Sequence, residues 1–279
     1  MFEERIKKHY KFLTKNQKML AERFFSFGHE AAFLTLAQLA GQLKTSEATL
    51  IRFARSLGYG GYPNLQHELQ DSIRQKLSPP KALQESLDEK DDRDIFSEIF
   101  EIEHHNLNKA RESNSNPIIE QAIQEIIKAR RVGVTGYRSS NSMAYLLYIL
   151  LSEVRKNCEL LESHMGSLPS QIINYMANDL LICISLPRYS HQTIANLKYV
   201  KRKKCKTIAI TDSPLSPIGQ EADLVLLTGN RSFTYFNFFA STVALINCLV
   251  AGVSLKAKNS LTNLQEVNHI VTQWGFLLR

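Results

Sequence analysis

Five short aliphatic runs, separated by helix-forming or turn-rich segments, constrain the fold of this chain more than any other feature of its sequence. They lie at residues 131–135, 158–161, 180–184, 207–210 and 224–227. Runs of this length and composition indicate strands buried on both faces of a sheet, and the intervening segments suit crossover helices. Because such crossovers connect parallel strands, the sequence predicts an α/β doubly wound domain with a parallel five-stranded sheet.

The residues before this region predict a separate, all-α domain at residues 1–77. Helical patterns run through it with a turn at residues 60–63, and Ser78-Pro79-Pro80 then interrupts them. A solvated acidic stretch follows, which places a linker at residues 78–95 and leaves 96–279 for the sheet domain. A chain of 279 residues is long enough for two such domains.

Positive charge is concentrated in the small N-terminal part. Residues 1–77 hold 12 of the 34 lysines and arginines but only 7 of the 27 acidic residues, a surplus of 5 positive charges within a net charge of +7. This asymmetry favours a polyanionic partner for the N-terminal domain.

Residues 35–59 have the pattern of two short amphipathic helices joined by a tight turn. The second helix opens at Ser46, a good N-cap residue. Helical spacing assigns to the core Leu36, Leu39, Ala40, Leu43, Ala48, Leu50, Ile51, Ala54 and Leu57. The outer side of the second helix then carries Glu47, Thr49, Arg52, Arg55 and Ser56. Hydroxyls and arginines suit phosphates and base edges, so the segment predicts a helix-turn-helix; the alternative is a helical hairpin that only packs.

Helix-turn-helix geometry assigns separate roles to these side chains. The N-terminal part of the second helix enters the major groove, so Thr49 and Arg52 are the candidates for base contacts. Ser46 and Arg55 are then expected to hold backbone phosphates. Lys44 lies in the turn, where glycine is common, and its charge would face the DNA.

Two strand ends in the second domain carry hydroxyls and one arginine each. Ligands of open parallel sheets collect at the carboxyl ends of strands. The candidate effector-binding residues are Gly136, Arg138, Ser139, Ser140, Ser185, Arg188 and Ser190. Hydroxyl donors and guanidinium groups predict a phosphate or carboxylate ligand; the alternative is that the serines only cap helices.

Other polar positions have weaker functional patterns. The loop at residues 211–218 is expected to border the same crevice or only to shape a turn, and Glu162, His164 and His191 are possible acid–base groups. The basic run 201–206 favours a helix end over a second DNA contact. The four cysteines lie far apart without a C-x-x-C pair, so we expect no metal, no cofactor and free thiols in a reducing compartment.

The apolar stretch at residues 238–255 is interrupted by Ser241, Thr242 and Asn247 and is marginal in length for a membrane span. We therefore expect a buried or subunit-interface helix there. No apolar signal core follows the first residues, and we expect a cytoplasmic protein with no membrane partner.

The chain resembles the RpiR/MurR-type bacterial transcription regulators, which join a helix-turn-helix domain to a sugar isomerase (SIS) domain. The resembling segments are residues 46–53, 57–59, 61–62, 208–212, 216–217 and 222–223. The family's phosphate loops are a Gly-x-Gly-x-Ser turn and a Ser-x-Ser-Gly turn. Gly136 and Ser140 fit the first and Ser185 fits the second, but Arg138 and Pro187-Arg188 replace the remaining residues.

The resemblance implies a transcription regulator, most commonly a repressor, of carbohydrate or amino-sugar catabolism. Its expected partners are double-stranded operator DNA and a phosphorylated sugar or sugar-acid effector, and its expected state is a homodimer or dimer of dimers. Two alternatives remain open: a phosphosugar isomerase with an appended helical domain, and a sensor whose partner is another protein. The serine and arginine clusters contain no carboxylate that could act as a catalytic base, so no catalytic residue is predicted.

Overall fold

The computed structural model describes residues 2–27, 32, 34–76, 79–88, 94–162 and 168–275. It divides into two compact units, Met1–Glu89 and Lys90–Arg279. The described part of the first unit is helical. Its helices are α1 (Phe2–His9), a 3-10 turn (Tyr10–Phe12), α2 (Lys15–Phe27), α3 (Leu36–Gln42), α4 (Glu47–Ser56), α5 (Tyr62–Lys76) and α6 (Pro79–Asp88).

The core of the first unit forms where α4 packs on its neighbours. Leu50, Phe53, Ala54 and Leu57 are completely buried, and the ring of Phe53 stacks on that of Phe24 at a centroid distance of 5.6 Å. These four positions recur at i, i+3, i+4 and i+7, which makes one stripe along the helix.

Two core assignments from the sequence were wrong. Ala48 was expected in the core but is exposed, and Phe53 is buried although it was not predicted there. Helix α4 begins at Glu47, so Ala48 lies in its first turn. The buried apolar stripe starts only at Leu50. Ile51 and Leu36 are half-buried at the edge of the same stripe.

Residues predicted as part of a solvated linker form a helix instead. Helix α6 begins at Pro79 and contains both prolines in its first turn. Proline is tolerated there because the first amides of a helix have no intrahelical acceptor. The linker limits 78–95 stay a prediction, and residues 89–93, three of them acidic and two basic, lie outside the described residues.

The second unit contains the predicted five-stranded parallel sheet. Its strands are β1 (Val132–Gly136), β2 (Cys158–Leu160), β3 (Leu180–Ile184), β4 (Lys206–Thr211) and β5 (Leu224–Leu227), in the order β2-β1-β3-β4-β5. Its helices are α7 (Ile95–Ser113), α8 (Asn116–Lys128), α9 (Ser140–Val154), α10 (Leu168–Ile172), α11 (His191–Arg202), α12 (Ala240–Lys256) and α13 (Ser260–Gln273).

Helices cover both faces of the sheet, which confirms the doubly wound architecture. Alternate strand residues such as Ile182 and Ile208 pack with α8, α9 and α12 on one face. Their neighbours Leu181 and Ala209 pack with α10 and α11 on the other. The central strands are therefore buried on both sides, as their unbroken aliphatic composition predicted.

Asn106 of α7 and Asn114, the residue that follows its last turn, hold this helix against the chain at and after β5. The Asn114 amide donates to the Leu227 carbonyl at 2.6 Å and accepts from the Leu227 amide at 2.9 Å, and Asn106 makes the same pair of bonds to Arg231. The two side chains thus satisfy backbone groups of edge strand β5, at Leu227, and of the loop that follows it, at Arg231.

Helix α12 contains most of the long apolar stretch and confirms the prediction of a buried helix, since Leu245, Ile246, Leu249 and Val253 lie in the core. Among the described residues no single helix is long and apolar enough to cross a membrane. Helices α12 and α13 meet the length and composition criteria only as a pair, with a bend of 105° between them.

The basic run ends a helix, as its composition favoured. Lys201 and Arg202 lie in the last turn of α11, and the Lys201 and Lys203 ammonium groups donate to the carbonyls of Glu221 and Ile173.

Candidate functional site

The turn between α3 and α4 is closed by backbone hydrogen bonds around Lys44. The Thr45 amide bonds to the Ala40 carbonyl at 2.9 Å and the Lys44 amide to the Gly41 carbonyl at 3.1 Å. This is a Schellman motif, and Lys44 occupies its left-handed position with φ +51°. The predicted turn therefore forms with a lysine where glycine is favoured, and the lysine side chain is exposed.

Helix α4 begins at the cap that the sequence predicted. The Ser46 hydroxyl accepts a hydrogen bond from the Thr49 amide at 3.2 Å. Thr35 caps α3 in the same way, within a capping box that includes Gln38. Each helix of the pair is thus fixed at its start by a local hydroxyl.

The polar side chains of α4 form one row along its outer face. The Ser46 and Thr49 hydroxyl oxygens lie 2.8 Å apart, and Arg52 donates from Nη2 to Thr49 Oγ1 at 3.3 Å. Arg55 continues the row one turn later and is exposed, like Arg52. The structure therefore brings Ser46, Thr49 and Arg52 into contact, and the threonine hydroxyl orients the arginine.

Arg55 also borders a cleft beside α4. The cleft is lined by Thr35, Leu36, Ile51, Arg55, Gly60, Gly61, Tyr62, Pro63 and Gln66. The start of α3 and the turn after α4 both line this cleft. Arg55 therefore lies at the end of the row opposite to Ser46 and Thr49.

In the second unit, the two serine and arginine loops leave the same edge of the sheet. They follow β1 and β3, which are neighbours, and Gly136 lies opposite Ile184 in their register. The structure therefore brings together two segments that are about fifty residues apart in sequence.

The loop after β1 requires its glycine. A Cβ on Gly136 would lie 2.6 Å from the Ser140 carbonyl oxygen and 3.1 Å from that of Ile184. Ser140 is the first residue of α9 and is buried, whereas Ser139 precedes the helix and its side chain makes no capping hydrogen bond. Among the described residues, neither hydroxyl has a hydrogen-bond partner, so capping does not explain these two serines.

The loop after β3 is closed by its own serines. The Ser190 amide donates to Ser185 Oγ at 3.4 Å, and Ser190 Oγ accepts from the Gln192 amide at 3.2 Å. Ser190 is therefore the N-cap of α11, as the capping alternative expected, while Ser185 is buried at the strand end.

Both loop arginines have a backbone conformation that favours glycine. Arg138 has φ +57° and Arg188 has φ +73°. Partial burial lowers the pKa of Arg188 first, and the positive charge of Arg138 lowers it further, while Tyr235 opposes these effects. The two guanidinium groups are therefore close enough to repel each other.

The third loop, after β4, contacts the second loop. Thr211 donates to the Ser185 carbonyl at 2.8 Å, and the Tyr189 phenol donates to Asp212 at 3.0 Å. Ser216 Oγ lies 2.9 Å from Thr211 Oγ1 and accepts from the Gly219 amide. Asp212 and Ser216 thus shape and brace the loops.

Two of the candidate acid–base residues lie at the starts of α9 and α11. Glu162 accepts a hydrogen bond from the Asn141 amide at 3.1 Å at the end of β2, and His191 is exposed at the start of α11. His164 lies outside the described residues.

An aromatic loop, residues 233–238, borders the crevice and was missed by the sequence interpretation. Tyr235 and Phe236 are exposed and pack against each other, and Asn237 donates to the Pro187 carbonyl at 3.4 Å. Five aromatic residues lie within the seven positions 233–239, after the last strand, and this density marks the segment in the sequence.

Comparison with known proteins gives matches to both units. The model of the rpiR-family helix-turn-helix domain matches residues 1–76, and that of the SIS domain matches residues 125–255. An uncharacterised HTH-type transcriptional regulator of Haemophilus influenzae is 25% identical over 80% of this chain and 77% of its own length.

Two solved structures share the fold. The sugar isomerase domain of an RpiR transcription factor from Sphaerobacter thermophilus is 27% identical, with a TM-score of 0.61 over 63% of this chain and 99% of that domain. The Vibrio vulnificus NanR protein, complexed with ManNAc-6P, is 18% identical, with a TM-score of 0.69 over 98% of this chain and 99% of its own.

Proposed function

Because the chain belongs to the RpiR-type transcriptional regulators, with an rpiR-family helix-turn-helix domain and a SIS domain, we propose that it represses a carbohydrate or amino-sugar catabolic operon. A phosphosugar or sugar acid bound in the SIS domain controls its binding to operator DNA. The relatives are named as regulators, so the chain is a transcriptional regulator and not the isomerase considered above.

The row of polar side chains on α4 supports the DNA-binding half of this proposal. Thr49 and Arg52 lie together near the start of the helix, the end that enters the major groove in helix-turn-helix complexes. An arginine held by a threonine hydroxyl presents its remaining donors in a defined direction, which suits bidentate contact to guanine. Ser46, Arg55 and Lys44 contact phosphates at the two ends of this row and at the turn.

The observation that carries the effector-binding half is the pair of buried serines at adjacent strand ends. Ser140 and Ser185 follow paired strands, and the Ser140 hydroxyl is not used for capping. Phosphate oxygens accept hydrogen bonds from such hydroxyls and from the free amides that begin α9 and α11. NanR, which shares the fold, was solved with the phosphosugar ManNAc-6P.

The regulator acts as a homodimer or dimer of dimers in this proposal. One recognition helix reads only a few base pairs, and two-fold symmetry doubles the contacts on a palindromic operator. The effector then changes operator affinity by favouring one arrangement of the paired DNA-binding domains.

The test is retardation of DNA fragments from upstream of the chain's own gene and its neighbours. We expect one fragment to be retarded specifically, and a panel of phosphosugars and sugar acids to contain a compound that alters this binding. Ser140→Ala and Ser185→Ala are each expected to raise the effector concentration required by about tenfold or more, because each removes a hydrogen bond to a charged group.

The matched control is Ser142→Ala. Ser142 lies on the same helix, is exposed and donates to the Ser139 carbonyl at 2.7 Å. If no compound alters DNA binding, or if the Ser140 and Ser185 variants respond like the control, the effector-binding half is wrong. If no fragment is retarded specifically, the DNA-binding half is wrong.

A further inference from the structure

Two arginines occupy positions where the family pattern and the backbone both favour glycine. Arg138 and Arg188 have φ values of +57° and +73°, in the left-handed region that residues with a side chain rarely adopt. Glycine would relieve both positions. Arginine in place of glycine therefore adds two guanidinium groups at these strand ends.

The register of the sheet places the loops that carry these arginines beside each other. Arg138 follows Gly136 by two residues, Arg188 follows Ile184 by four, and Gly136 and Ile184 are partners across β1 and β3. The charge of Arg138 is among the causes that lower the pKa of Arg188. Among the described residues neither guanidinium has a hydrogen bond or an ion pair, so two adjacent positive charges have no counterion there.

The loop that carries Arg188 is fixed by contacts from neighbouring loops. The Tyr189 phenol donates to Asp212 at 3.0 Å, the Asn237 amide donates to the Pro187 carbonyl at 3.4 Å, and the Ser190 amide donates to Ser185 Oγ. Arg188 is therefore presented from a braced backbone, and Tyr235 lies close enough to influence its charge. Because the loop is already fixed, binding of an anion by Arg188 costs little backbone freedom.

We propose that Arg138 and Arg188 form an anion subsite beside the serine hydroxyls, and that this subsite binds a carboxylate of the effector. The serines and the helix amides supply enough donors for a phosphate, whereas the planar guanidinium fork matches the two oxygens of a carboxylate. The effector is then a phosphorylated sugar acid with negative charge at two separate groups. This inference rests on the proposed function, because it assumes that the crevice binds the effector.

The test compares two ligands by calorimetry on the full-length protein. They are open-chain 6-phosphogluconate, which has a carboxylate at C1, and glucose 6-phosphate, whose C1 is a hemiacetal in a pyranose ring. We expect 6-phosphogluconate to bind at least about tenfold more tightly, as expected for charge-assisted hydrogen bonds. Gluconate, which has the carboxylate but no phosphate, is expected to bind more weakly than 6-phosphogluconate.

The variants Arg138→Gly and Arg188→Gly restore the residue that the backbone favours, so we expect their melting temperatures to equal or exceed that of the parent. Each should lose most of the preference for 6-phosphogluconate, with the affinity for glucose 6-phosphate unchanged. Ser140→Ala is the complementary variant, which should weaken both phosphorylated ligands.

Three outcomes overturn the subsite. Equal binding of the two phosphorylated ligands by the parent contradicts it, as does a preference that survives both glycine substitutions. Equal loss of both ligands in the glycine variants would assign the arginines to the phosphate. In contrast, two results together would refute the crevice itself and therefore the proposed function. The first is that neither phosphorylated ligand binds the parent. The second is that Ser140→Ala and Ser185→Ala leave the effect of every effector on DNA binding unchanged.

Discussion

Helix α4 and the crevice formed by the loops after β1 and β3 both present arginines and hydroxyls to a proposed anionic partner, but they assemble them in different ways. On α4 the polar side chains recur at every third residue of one regular helix, and neighbours contact each other, as Arg52 does Thr49. In the crevice, Arg138 and Arg188 come from loops fifty residues apart and both have left-handed backbones. The first arrangement depends on local helix geometry, and the second depends on strand register.

Substitutions in the two regions are therefore expected to have different consequences for the structure. A change on the outer face of α4 alters one contact and leaves the helix intact, because the buried stripe on the opposite face holds it. A change in the crevice loops alters the backbone that positions several groups at once. The following variants test that distinction, from the largest expected effect to the smallest.

Phe53→Ala is expected to have the largest effect, because it removes a completely buried ring that stacks on Phe24. The free energy of unfolding of the N-terminal unit should fall by about 3–5 kcal/mol. Denaturation followed by circular dichroism, together with operator binding, measures this loss, and effector binding should persist. Phe12→Ala, at a ring that is 84% exposed, is the control and should be neutral. Equal effects of the two variants would contradict the assignment of the core.

Gly136→Ala is expected to disrupt the crevice. Its Cβ would overlap the Ser140 carbonyl oxygen, so the start of α9 must shift, at a cost of about 1–3 kcal/mol in unfolding free energy. The response to effector should be lost while DNA binding is retained, as measured by retardation with and without effector. At Gly41 in α3 an added Cβ meets no atom within 4 Å, so Gly41→Ala should stabilise its helix by about 0.5–1 kcal/mol. A normal effector response in the Gly136 variant would show that the loop is not required.

Arg52→Ala and Arg55→Ala separate base contacts from phosphate contacts on the same helix. We expect Arg52→Ala to weaken operator binding by about 1–3 kcal/mol and to relax sequence preference at one position. Arg55→Ala should weaken binding to all sequences similarly and reduce the salt dependence by about one unit of slope. Fluorescence anisotropy with operator and random DNA over a range of salt concentrations measures both, and exchanged phenotypes would reverse the two assignments.

Lys44→Gly is expected to have the smallest effect on the fold. Glycine relieves the left-handed conformation at φ +51°, which should stabilise the N-terminal unit by at most about 1 kcal/mol. Loss of the charge should weaken operator binding a few-fold and reduce its salt dependence. Lys204→Gly is the matched control, since Lys204 has φ +62° just after α11 and lies in the other unit. It should give a similar stabilisation with unchanged DNA affinity; a matching loss of DNA affinity would show that the effect of Lys44→Gly does not depend on the position of its charge in the helix-turn-helix.

Local sequence patterns correctly predicted the features that depend on residues close together in the sequence. All five strands lie where the aliphatic runs predicted them, and Ser46 caps α4 as its side-chain chemistry indicated. The wrong predictions concern residues whose burial or conformation depends on how an element packs against its neighbours. Ala48 is exposed and Phe53 buried because the position at which α4 begins sets which side faces inward, and residues 79–88 form a helix where a solvated connector was expected.

The crevice was predictable in its parts but not in its arrangement. The sequence alone indicated both serine and arginine loops, because hydroxyls and arginines after strands are a local pattern. The aromatic loop at residues 233–238 could not be assigned to the same edge, since the Asn237–Pro187 contact joins segments fifty residues apart.

The sequence by itself determined the helix-turn-helix, the five strands and the chemistry of the side chains, because helix periodicity, capping and strand composition act over a few residues. The tertiary structure was needed to place the loops of Arg138 and Arg188 beside each other and the aromatic loop at the same edge. The physical reason is that strand register, set by packing of both faces of the sheet, fixes which distant loops meet.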